Sequence, residues 1–301
     1  MSDAASNSLP QDHTARTTSA PDGLVLIPTP IGNLGDITNR AIAALQAADL
    51  VLCEDTRVTA RLLTYFSIHA RTLALHDHNE DGRIVQVLDM LRQGRRIALV
   101  SDAGTPLVSD PGYRLVRAVL AEGLPVNALP GPNAALLALT LSGLPPHPFL
   151  FLGFPPPKQA ARRAALAGLR AAERAGLRAT LIWYEAPHRI AETLSDIADL
   201  LGNRQVAVGR ELTKRFEEVR RAPARTLADA YAIEAPRGEI TLVVGPAEDD
   251  TPDTDDLDTQ LRTALASHSL KEAVAIITAA TGLPRKQVYA RALALASPAE
   301  D

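Results

Sequence analysis

The chain has 301 residues, is 46% hydrophobic and 22% charged, and carries a formal net charge of −4. This composition is ordinary for globular proteins and excludes a chain that is disordered throughout. No stretch is long and apolar enough to span a membrane, and the polar first residues lack the apolar segment of a secretory signal. The single cysteine, Cys53, excludes an intramolecular disulfide. We therefore expect a cytoplasmic protein that is not bound to a membrane.

The first 145 residues consist of a polar tail and a run of alternating strands and helices. Residues 1–22 are rich in Ser, Thr, Ala and Asp without periodicity, which predicts a disordered tail. Over 23–145, short apolar runs alternate with helical spacing of apolar residues, which predicts an N-terminal α/β domain with a parallel, doubly wound sheet. The predicted strands are 24–27, 50–53, 72–75, 97–100 and 124–128, and the predicted helices are 39–48, 58–65, 84–91, 112–121 and 134–142.

The remaining residues predict two further domains joined by a linker. Proline clusters at 144–148 and 155–157 mark a boundary, and a second α/β domain extends over 146–246. The acidic stretch 247–258 predicts a solvated linker, and helical patterns predict a small helical domain over 259–301. In the second domain the predicted strands are 149–154, 180–184, 205–209 and 240–244, with an antiparallel strand at 216–222 that gives a mixed sheet, and the predicted helices are 159–175 and one that ends near 201.

Three loops at predicted strand ends share small and turn-forming residues. They cover 28–38, 101–112 and 129–134. Ligands of open α/β sheets bind outside the carboxyl ends of the strands, and small residues let backbone N–H groups approach them closely. Because the chain has neither a Walker A loop nor a G-x-G-x-x-G turn, the loops predict a shared small-molecule site of another kind. The alternative is that Gly32 and Gly35 serve only tight turns.

The motifs at these loops and in the second domain, taken in order, resemble one family. They are TPIGNLGDIT (29–38), EDTR (54–57), SDAGTPLVSDPG (101–112), LPGP (129–132), YEAPHR (184–189) and RELTK (210–214). Over 23–245 the chain is similar to the rRNA-modifying members of the tetrapyrrole methylase superfamily. The resemblance implies a two-domain fold with the cofactor in its cleft, S-adenosylmethionine as methyl donor, and a homodimer. It also implies that the acceptor is the 2′-hydroxyl of a cytidine in the decoding region of 16S rRNA, in the small ribosomal subunit.

Carried over by position, the resemblance also implies a set of cofactor contacts. Backbone N–H groups that open helices suit the cofactor's carboxylate, and an acid such as Asp102 suits its amine or its ribose hydroxyls. Methyl transfer needs no metal, and His76 and His78 lack a clear third ligand, so we predict no metal site. The implied contacts are Pro28, Thr29, Asp102, Ala103, Gly104, Thr105, Val108, Asn133, Ala134, Tyr184, Arg210 and Glu239.

Methyl transfer to a ribose hydroxyl needs an aligned acceptor and a group that takes its proton. Glu185, at a predicted strand end that faces the cleft, is our first candidate for the catalytic base, and its alternative is an ion pair with Arg189. Asp55 and Arg57 are further catalytic candidates. Their alternative is a helix N-cap and a surface ion pair. We interpret His188 as a histidine packed near a helix start.

The second domain is more basic than the chain as a whole. Lys and Arg outnumber Asp and Glu between 155 and 225, so an acidic protein still presents a basic face to an anionic partner. For an RNA substrate these residues predict phosphate contacts, which position a complex without reading its sequence. The alternative is an ordinary solvated helix face. The predicted RNA-binding residues are Lys158, Arg162, Arg163, Lys214 and Arg215.

Two other functions fit parts of the sequence. A methylase of a small tetrapyrrole needs a site walled by apolar and aromatic residues, but only 4% of the chain is aromatic. A catalytically inactive RNA-binding or ribosome-assembly factor does not need intact strand-end loops. An rRNA 2′-O-methyltransferase accounts for both the loops and the basic residues.

Overall fold

A computed structural model describes residues 21–76, 79–247, 254–281 and 283–296. The chain divides into two compact units, Met1–Pro246 and Ala247–Asp301. The first twenty residues of the predicted tail, and 248–253 of the predicted linker, lie outside the described residues. No described helix is both long and apolar enough to cross a membrane.

The first sheet of the larger unit has five short strands. They are β1 (Leu24–Ile27), β2 (Leu50–Cys53), β3 (Thr72–Ala74), β4 (Ile97–Val100) and β5 (Val126–Ala128). Their order is β3-β2-β4-β1-β5, and every neighbouring pair is parallel. The predicted parallel sheet is therefore confirmed, and the carboxyl ends of its strands share one edge.

Helices cover both faces of this sheet, which is why its central strands are apolar on both sides. Val25 and Val51 pack with the first two helices, whereas Leu24 and Leu50 pack with the next two. A short 3-10 helix, Leu34–Asp36, lies in the loop after β1. The four covering helices are α1 (Asn39–Ala47), α2 (Thr56–Tyr65), α3 (Glu80–Arg92) and α4 (Tyr113–Ala121).

The second sheet is mixed, as the sequence predicts. Its strands are β6 (Phe149–Phe151), β7 (Thr180–Glu185), β8 (Gln205–Arg210), β9 (Glu218–Pro223) and β10 (Ile240–Val244). Their order is β6-β7-β10-β8-β9, in which β6 and β7 are parallel and the other neighbouring pairs are antiparallel. The antiparallel strand predicted at 216–222 is confirmed as β9.

One helix from before the predicted boundary at 145–146 packs on this second sheet. Helix α5 (Ala134–Ser142) places Ala135 and Leu139 against Ile182 and Val243. Because α5 opens directly from the loop that follows β5, it carries a strand end of the first sheet to the face of the second. The opposite face is covered by α6 (Gln159–Arg174), α7 (Ile190–Leu200) and α8 (Ala224–Ile233).

The sequence analysis does not predict α8. This helix has ten residues and begins directly after β9, at Pro223. It buries Ala224, Leu227, Ala228 and Tyr231, which is the i, i+3, i+4, i+7 spacing of a helix that packs on one side. The spacing was readable, but no loop separates the helix from the preceding strand.

The C-terminal unit contains three helices, α9 (Thr254–Leu265), α10 (Leu270–Thr281) and α11 (Arg285–Ala296). Their shared core includes Leu261, Val274 and Val288. The Arg291 guanidinium donates to both carboxylate oxygens of Asp258, each at 2.6 Å, and ties α11 to α9. Helix α9 begins at Thr254, inside the range 247–258 that the sequence predicts as a linker.

Candidate active site

The loops that leave β1 and β4 are joined by their backbones. Thr29 N–H donates to the Gly104 carbonyl at 2.9 Å, and Gly104 N–H donates back to the Thr29 carbonyl at 3.0 Å. The Thr29 hydroxyl donates to the Ser101 carbonyl at 3.0 Å. Gly104 has φ +82°, a conformation that L side chains rarely adopt. Both loops are therefore held in one arrangement at the strand ends.

The loop that precedes α5 joins the same cluster. The Thr105 hydroxyl donates to the Pro132 carbonyl at 2.9 Å, and Asn133 Nδ2 donates to the Thr105 hydroxyl at 3.3 Å. A Cβ atom on Gly131 would lie 2.6 Å from Cβ of Pro28, so only glycine permits this close approach. The three strand-end loops meet, as their shared position at the sheet edge predicts.

A cavity of about 360 Å³ lies between these loops and the end of β7 in the second sheet. Six of the predicted cofactor contacts line it: Ala103, Thr105, Val108, Ala134, Tyr184 and Glu239. The Tyr184 ring contacts Phe151 and Phe154 edge-on, with centroids 4.9 and 5.6 Å apart. Burial raises the pKa of Tyr184. The cavity thus combines an aromatic wall with a backbone-rich wall of small residues.

Two other predicted cofactor contacts line a different cavity. Thr29 and Asp102 border a space of about 400 Å³ beside α2, whose wall includes Val58, Leu62 and Tyr65. Asp102 Oδ1 also accepts a hydrogen bond from the Asp55 N–H, at 3.1 Å. The two cavities lie along the same loop, because Ser101 and Asp102 line one and the next residues, from Ala103, line the other.

The remaining predicted contacts have structural partners in this arrangement. Pro28 is buried against Gly131, and Gly104 is buried in its pairing with Thr29. The Asn133 side chain accepts from Leu136 N–H at 3.1 Å and so caps α5. Arg210 Nε donates to Glu218 at 3.2 Å. None of these four residues lines the 360 Å³ cavity.

Glu185 lines the cavity, and both of its carboxylate oxygens already accept hydrogen bonds. Oε1 accepts from the Ala186 N–H at 2.7 Å and from Arg189 Nε at 2.9 Å. Oε2 accepts from the Thr193 hydroxyl at 2.5 Å. The side chain is fully buried, and Arg189 is its ion-pair partner. The ion pair with Arg189, which the sequence offers as the alternative, is therefore present and holds the cavity wall after β7, while a catalytic role of Glu185 stays a prediction.

Asp55 and Arg57 adopt the alternative arrangement that the sequence also allows. Asp55 caps α2 by accepting from the Arg57 N–H at 2.8 Å, and its carboxylate pairs with the Arg57 guanidinium at 2.6 Å. These contacts hold the pKa of Asp55 at about 2. The Arg57 side chain is 86% exposed, so it remains accessible to a large ligand beside the strand ends.

Asp110 is a cavity-lining carboxylate that the sequence analysis missed. It lies in the same loop as Asp102 and faces the space beside Tyr184. Burial, the Glu54 carboxylate and the Asp102 carboxylate raise its pKa to about 7. A second acid in the strand-end loop could have marked Asp110 as a candidate. The sequence could not show that the Asp110 side chain faces this cavity while Asp102 lines the other one.

The loop that carries Asp110 has an unusual backbone. Leu107 and Ser109 have φ values of 69° and 70°, and Gly112 has φ 116°. Non-glycine residues in the left-handed region cluster at functional sites, where the surrounding structure enforces them. A Cβ atom on Gly112 would lie 2.7 Å from Leu99 Cδ2, so the loop is clamped onto the sheet.

Arg162, which the sequence predicts as an RNA contact, is buried in the structure. Its side chain is 1% exposed, and Nε donates to Asp196 Oδ2 at 2.7 Å. Arg163 is half-buried and pairs with Asp196 at 2.7 Å and Asp199 at 3.0 Å. Both arginines tie α6 to α7, because the first turn of α6 points its basic residues toward the acidic face of α7 and away from solvent.

The other predicted RNA-binding residues differ in their availability. Lys214 Nζ pairs with Glu211 at 2.9 Å and Glu239 at 3.0 Å, which closes the edge of the cavity. Lys158 is exposed at the start of α6. Arg215 is exposed, and its guanidinium lies 5.5 Å from the centroid of the exposed Phe216 ring. Lys158 and Arg215 are therefore the members of the set that can meet a phosphate.

The cavity fits a folded organic cofactor that carries a positive charge. Its volume lies within the range of small-molecule sites, roughly 300–1,000 Å³. Tyr184 and Phe154 offer flat apolar surface, the loop at Ala103–Thr105 offers close backbone groups, and Asp110 offers a carboxylate. Among the described residues, no group of three or more His, Cys, Asp and Glu side chains could hold a metal ion.

Comparison with known proteins gives the family. The family model described as Tetrapyrrole (Corrin/Porphyrin) Methylases matches residues 23–228, and the model described as RsmI C-terminal HTH domain matches 251–296. A protein of Mesorhizobium japonicum named Ribosomal RNA small subunit methyltransferase I is 47% identical and covers 90% of this chain and 92% of its own. Its namesake from Escherichia coli O157:H7 is 45% identical, over 90% of this chain and 94% of its own.

A solved structure shares the fold of the larger unit. It is uroporphyrin-III C-methyl transferase from Thermus thermophilus complexed with S-adenyl homocysteine, which matches with a TM-score of 0.52 and 20% identity. The match covers 74% of this chain and 97% of that one. The fold, the meeting of the strand-end loops and the sequence matches lead to one conclusion: the chain belongs to the tetrapyrrole methylase family and is an S-adenosylmethionine-dependent methyltransferase.

Proposed function

We propose that this methyltransferase modifies the ribose 2′-hydroxyl of a cytidine in the decoding region of 16S rRNA, within the small ribosomal subunit, and that it acts as a homodimer. Its relatives at 45–47% identity are named for the RNA of the small subunit. The observation that carries the proposal is the cavity between the strand-end loops and β7. The exposed Arg57, which follows the end of β2, and the exposed Arg215, which follows Lys214, can receive a polyanion.

The 360 Å³ cavity holds the cofactor in this proposal. When bound, S-adenosylmethionine supplies an electrophilic methyl group on a positively charged sulfur. Ala103, Thr105 and Val108 offer the backbone wall, Tyr184 offers the aromatic wall, and Asp110 places negative charge in the same space. Catalysis then depends largely on holding the acceptor hydroxyl in line with the methyl group. The clamped loop of Asp110 suits that task because its arrangement is fixed before any ligand arrives.

The catalytic candidates take distinct roles here. Glu185 is a positioning residue, since its three hydrogen bonds hold the segment that follows Tyr184. Asp55 is also a positioning residue, which orients the Arg57 guanidinium through their ion pair. Arg57 contacts the RNA near the acceptor, because it is exposed and follows the end of β2 at the same sheet edge.

RNA binding uses the exposed members of the basic set. Lys158 and Arg215 contact phosphates, and the Phe216 ring, which is 63% exposed, offers a surface on which an unpaired base can stack. Lys214 binds no phosphate directly, because Glu211 and Glu239 occupy its ammonium group. It connects the loop of Arg215 to the cavity edge.

The test uses small ribosomal subunits from cells that lack this protein. Purified protein and labelled S-adenosylmethionine are incubated in parallel with these subunits, with free 16S rRNA, and with a reduced tetrapyrrole. We expect label in the subunit RNA alone. Label in the tetrapyrrole would contradict the proposed substrate, and no label in any substrate, with cofactor binding shown by calorimetry, would indicate an inactive RNA-binding factor.

A further inference from the structure

We propose that the Asp110 carboxylate is the catalytic residue that accepts the proton of the acceptor hydroxyl during methyl transfer. The inference rests on the proposed function, because it assumes a hydroxyl acceptor in the cavity. It gives the role of general base to a residue that is not among the catalytic candidates predicted from the sequence, Glu185, Asp55 and Arg57.

The carboxylates around the cavity differ in what already holds them. Glu185 accepts three hydrogen bonds, which engage both of its oxygens, and its side chain is fully buried in an ion pair with Arg189. The Glu239 side chain is 73% exposed at the rim and bonded to Lys214. For Asp110, no hydrogen bond or ion pair is found within the described residues, although the residue is half-buried and lines the cavity. Its oxygens are therefore the ones that can accept a proton from a ligand.

The loop fixes where this carboxylate points. Val108 N–H donates to the Thr105 carbonyl at 3.3 Å, and Thr105 is bonded in turn to Pro132. Ser109, with φ 70°, directs the chain so that the next residue faces Tyr184 across the cavity. After Asp110, Pro111 and the clamped Gly112 prevent the segment from swinging away. A base that is fixed in this way needs no reorganisation before reaction.

The groups around Asp110 hold its pKa close to physiological pH. Glu54 follows β2 and Asp102 begins the same loop, and both carboxylates act together with burial to raise its pKa to about 7. Tyr184 on β7 and the rim carboxylate of Glu239 also face this space. A general base works best when its pKa lies near the working pH, since it is then both ionised and able to bind a proton.

The reaction balances with Asp110 as the acceptor. The step forms a bond between the hydroxyl oxygen and the methyl carbon, and it breaks the bond between that carbon and the sulfonium sulfur, which keeps the electron pair. The hydroxyl proton passes to the carboxylate. A positive sulfur and a negative carboxylate become a neutral thioether and a neutral acid, so charge separation in the cavity disappears as the product forms.

The pH dependence has a defined sign. Below its pKa Asp110 is protonated and cannot accept the hydroxyl proton, so the single-turnover rate falls tenfold for each pH unit. A positively charged cofactor nearby favours the ionised form and moves the midpoint of the rate profile to or below 7. Above the midpoint the rate is constant.

The first experiment compares single-turnover methylation of small subunits between pH 5 and 8.5. Asp110→Asn is expected to lose about a hundredfold or more in rate and to lose the acidic limb, whereas Asp110→Glu restores part of the rate and keeps the limb. The matched control is Asp89→Asn, which removes an exposed carboxylate on α3 that pairs with Arg92. A wild-type rate that does not change over this pH range would overturn the assignment, as would an Asp110→Asn rate within threefold of wild type.

The second experiment reads the same group without turnover. Calorimetry of S-adenosylmethionine binding at pH 7, in two buffers of different ionisation enthalpy, measures the protons released. We expect wild type to release a fraction of a proton more than Asp110→Asn, because the positively charged cofactor favours the ionised form of Asp110. Equal proton release would overturn the inference. If wild type binds the cofactor and shows this release but methylates no RNA, the proposed function fails, whereas the ionisation of Asp110 beside the cofactor is still shown.

Discussion

Two carboxylates in one cavity wall illustrate how surroundings decide a residue's role. Glu185 and Asp110 both line the 360 Å³ space, yet Glu185 accepts hydrogen bonds from Ala186, Arg189 and Thr193, while Asp110 faces other acids. The first carboxylate holds the wall in place. The second is destabilised by its neighbours and is therefore the reactive one.

Glu185→Gln is expected to lower the free energy of unfolding. The substitution leaves the Arg189 guanidinium beside a neutral amide in a buried position, and breaking such a pair costs about 3 kcal/mol. Denaturant titration measures the change. The control is Glu192→Gln on α7, whose side chain is 68% exposed and which should change stability by less than about 0.5 kcal/mol. Equal stability of both variants would show that Glu185 is not structural.

Asp110→Asn is expected to raise the melting temperature at pH 8 and to leave it nearly unchanged at pH 4. Because the pKa of Asp110 is about 7 in the folded protein and about 4 in an unfolded chain, folding becomes less favourable as pH rises between these values. Asparagine removes that cost. The measurement is thermal unfolding without cofactor, and a variant that is less stable than wild type at pH 8 would contradict the raised pKa.

Sequence could rank these residues by type and place but not by contact. Glu185 ends a strand, which made it a candidate, while its hydrogen bond from Thr193 depends on how α7 packs on β7. Arg162 and Arg163 looked like a solvent-facing pair until α7 supplied Asp196. Asp110 lies in the motif at 101–112, but the direction of its side chain depends on the positive φ values of Leu107 and Ser109. The identities of these two residues do not predict such values.

At the scale of elements, three loops from one sheet edge form a single rigid group. Thr29 pairs with Gly104, Thr105 bonds to Pro132, and Gly131 lies against Pro28. Helix α5 continues from this group onto the second sheet. The cavity is therefore built where the two sheets are connected.

Gly131→Ala is expected to weaken cofactor binding at least tenfold. Its new Cβ atom would lie 2.6 Å from Pro28, so the loops must separate, and overpacking of this kind costs about 1–3 kcal/mol. Calorimetric titration of S-adenosylmethionine measures the effect. Gly168→Ala on α6 is the control, because its Cβ atom meets nothing within 4 Å. Unchanged affinity in Gly131→Ala would show that the loop contact does not shape the site.

The segment between β8 and β9 is expected to act on RNA and not on the cofactor. Arg215→Ala with Phe216→Ala removes one phosphate contact and one exposed ring, so RNA binding should weaken about tenfold or more and its salt slope should fall by about one. Arg174→Ala with Ile233→Ala removes exposed residues of similar type elsewhere and serves as control. A salt slope equal to that of wild type would contradict the phosphate contact.

The elements themselves were largely predictable from periodicity. All five strands of the first sheet, and the antiparallel β9, follow from short apolar runs between turn residues. Helix α8 was missed because it follows β9 without a loop. That α5 packs on the second sheet could not be read from its sequence, since a helix of alanine and leucine is apolar on every side and fits either core.

At the scale of the whole molecule, an acidic chain binds RNA in this proposal through a few exposed groups. The net charge is −4, and several arginines in the basic second domain already form ion pairs, such as Arg163 with Asp199. Affinity must therefore come from local contacts of exposed residues such as Arg57, Lys158 and Arg215, with the C-terminal helices as a separate unit. Such a protein should prefer a shaped substrate over any polyanion.

The central claim is that the methyl group goes to a ribose hydroxyl of one cytidine. Small subunits methylated with labelled S-adenosylmethionine are stripped of protein, and their 16S rRNA is hydrolysed in alkali before mass spectrometry. A 2′-O-methyl group blocks cleavage of the adjacent phosphodiester, so we predict that the label appears in an alkali-resistant dinucleotide that begins with a cytidine of the decoding region. Label in a mononucleotide that alkali releases would place the methyl group on a base and contradict the claim.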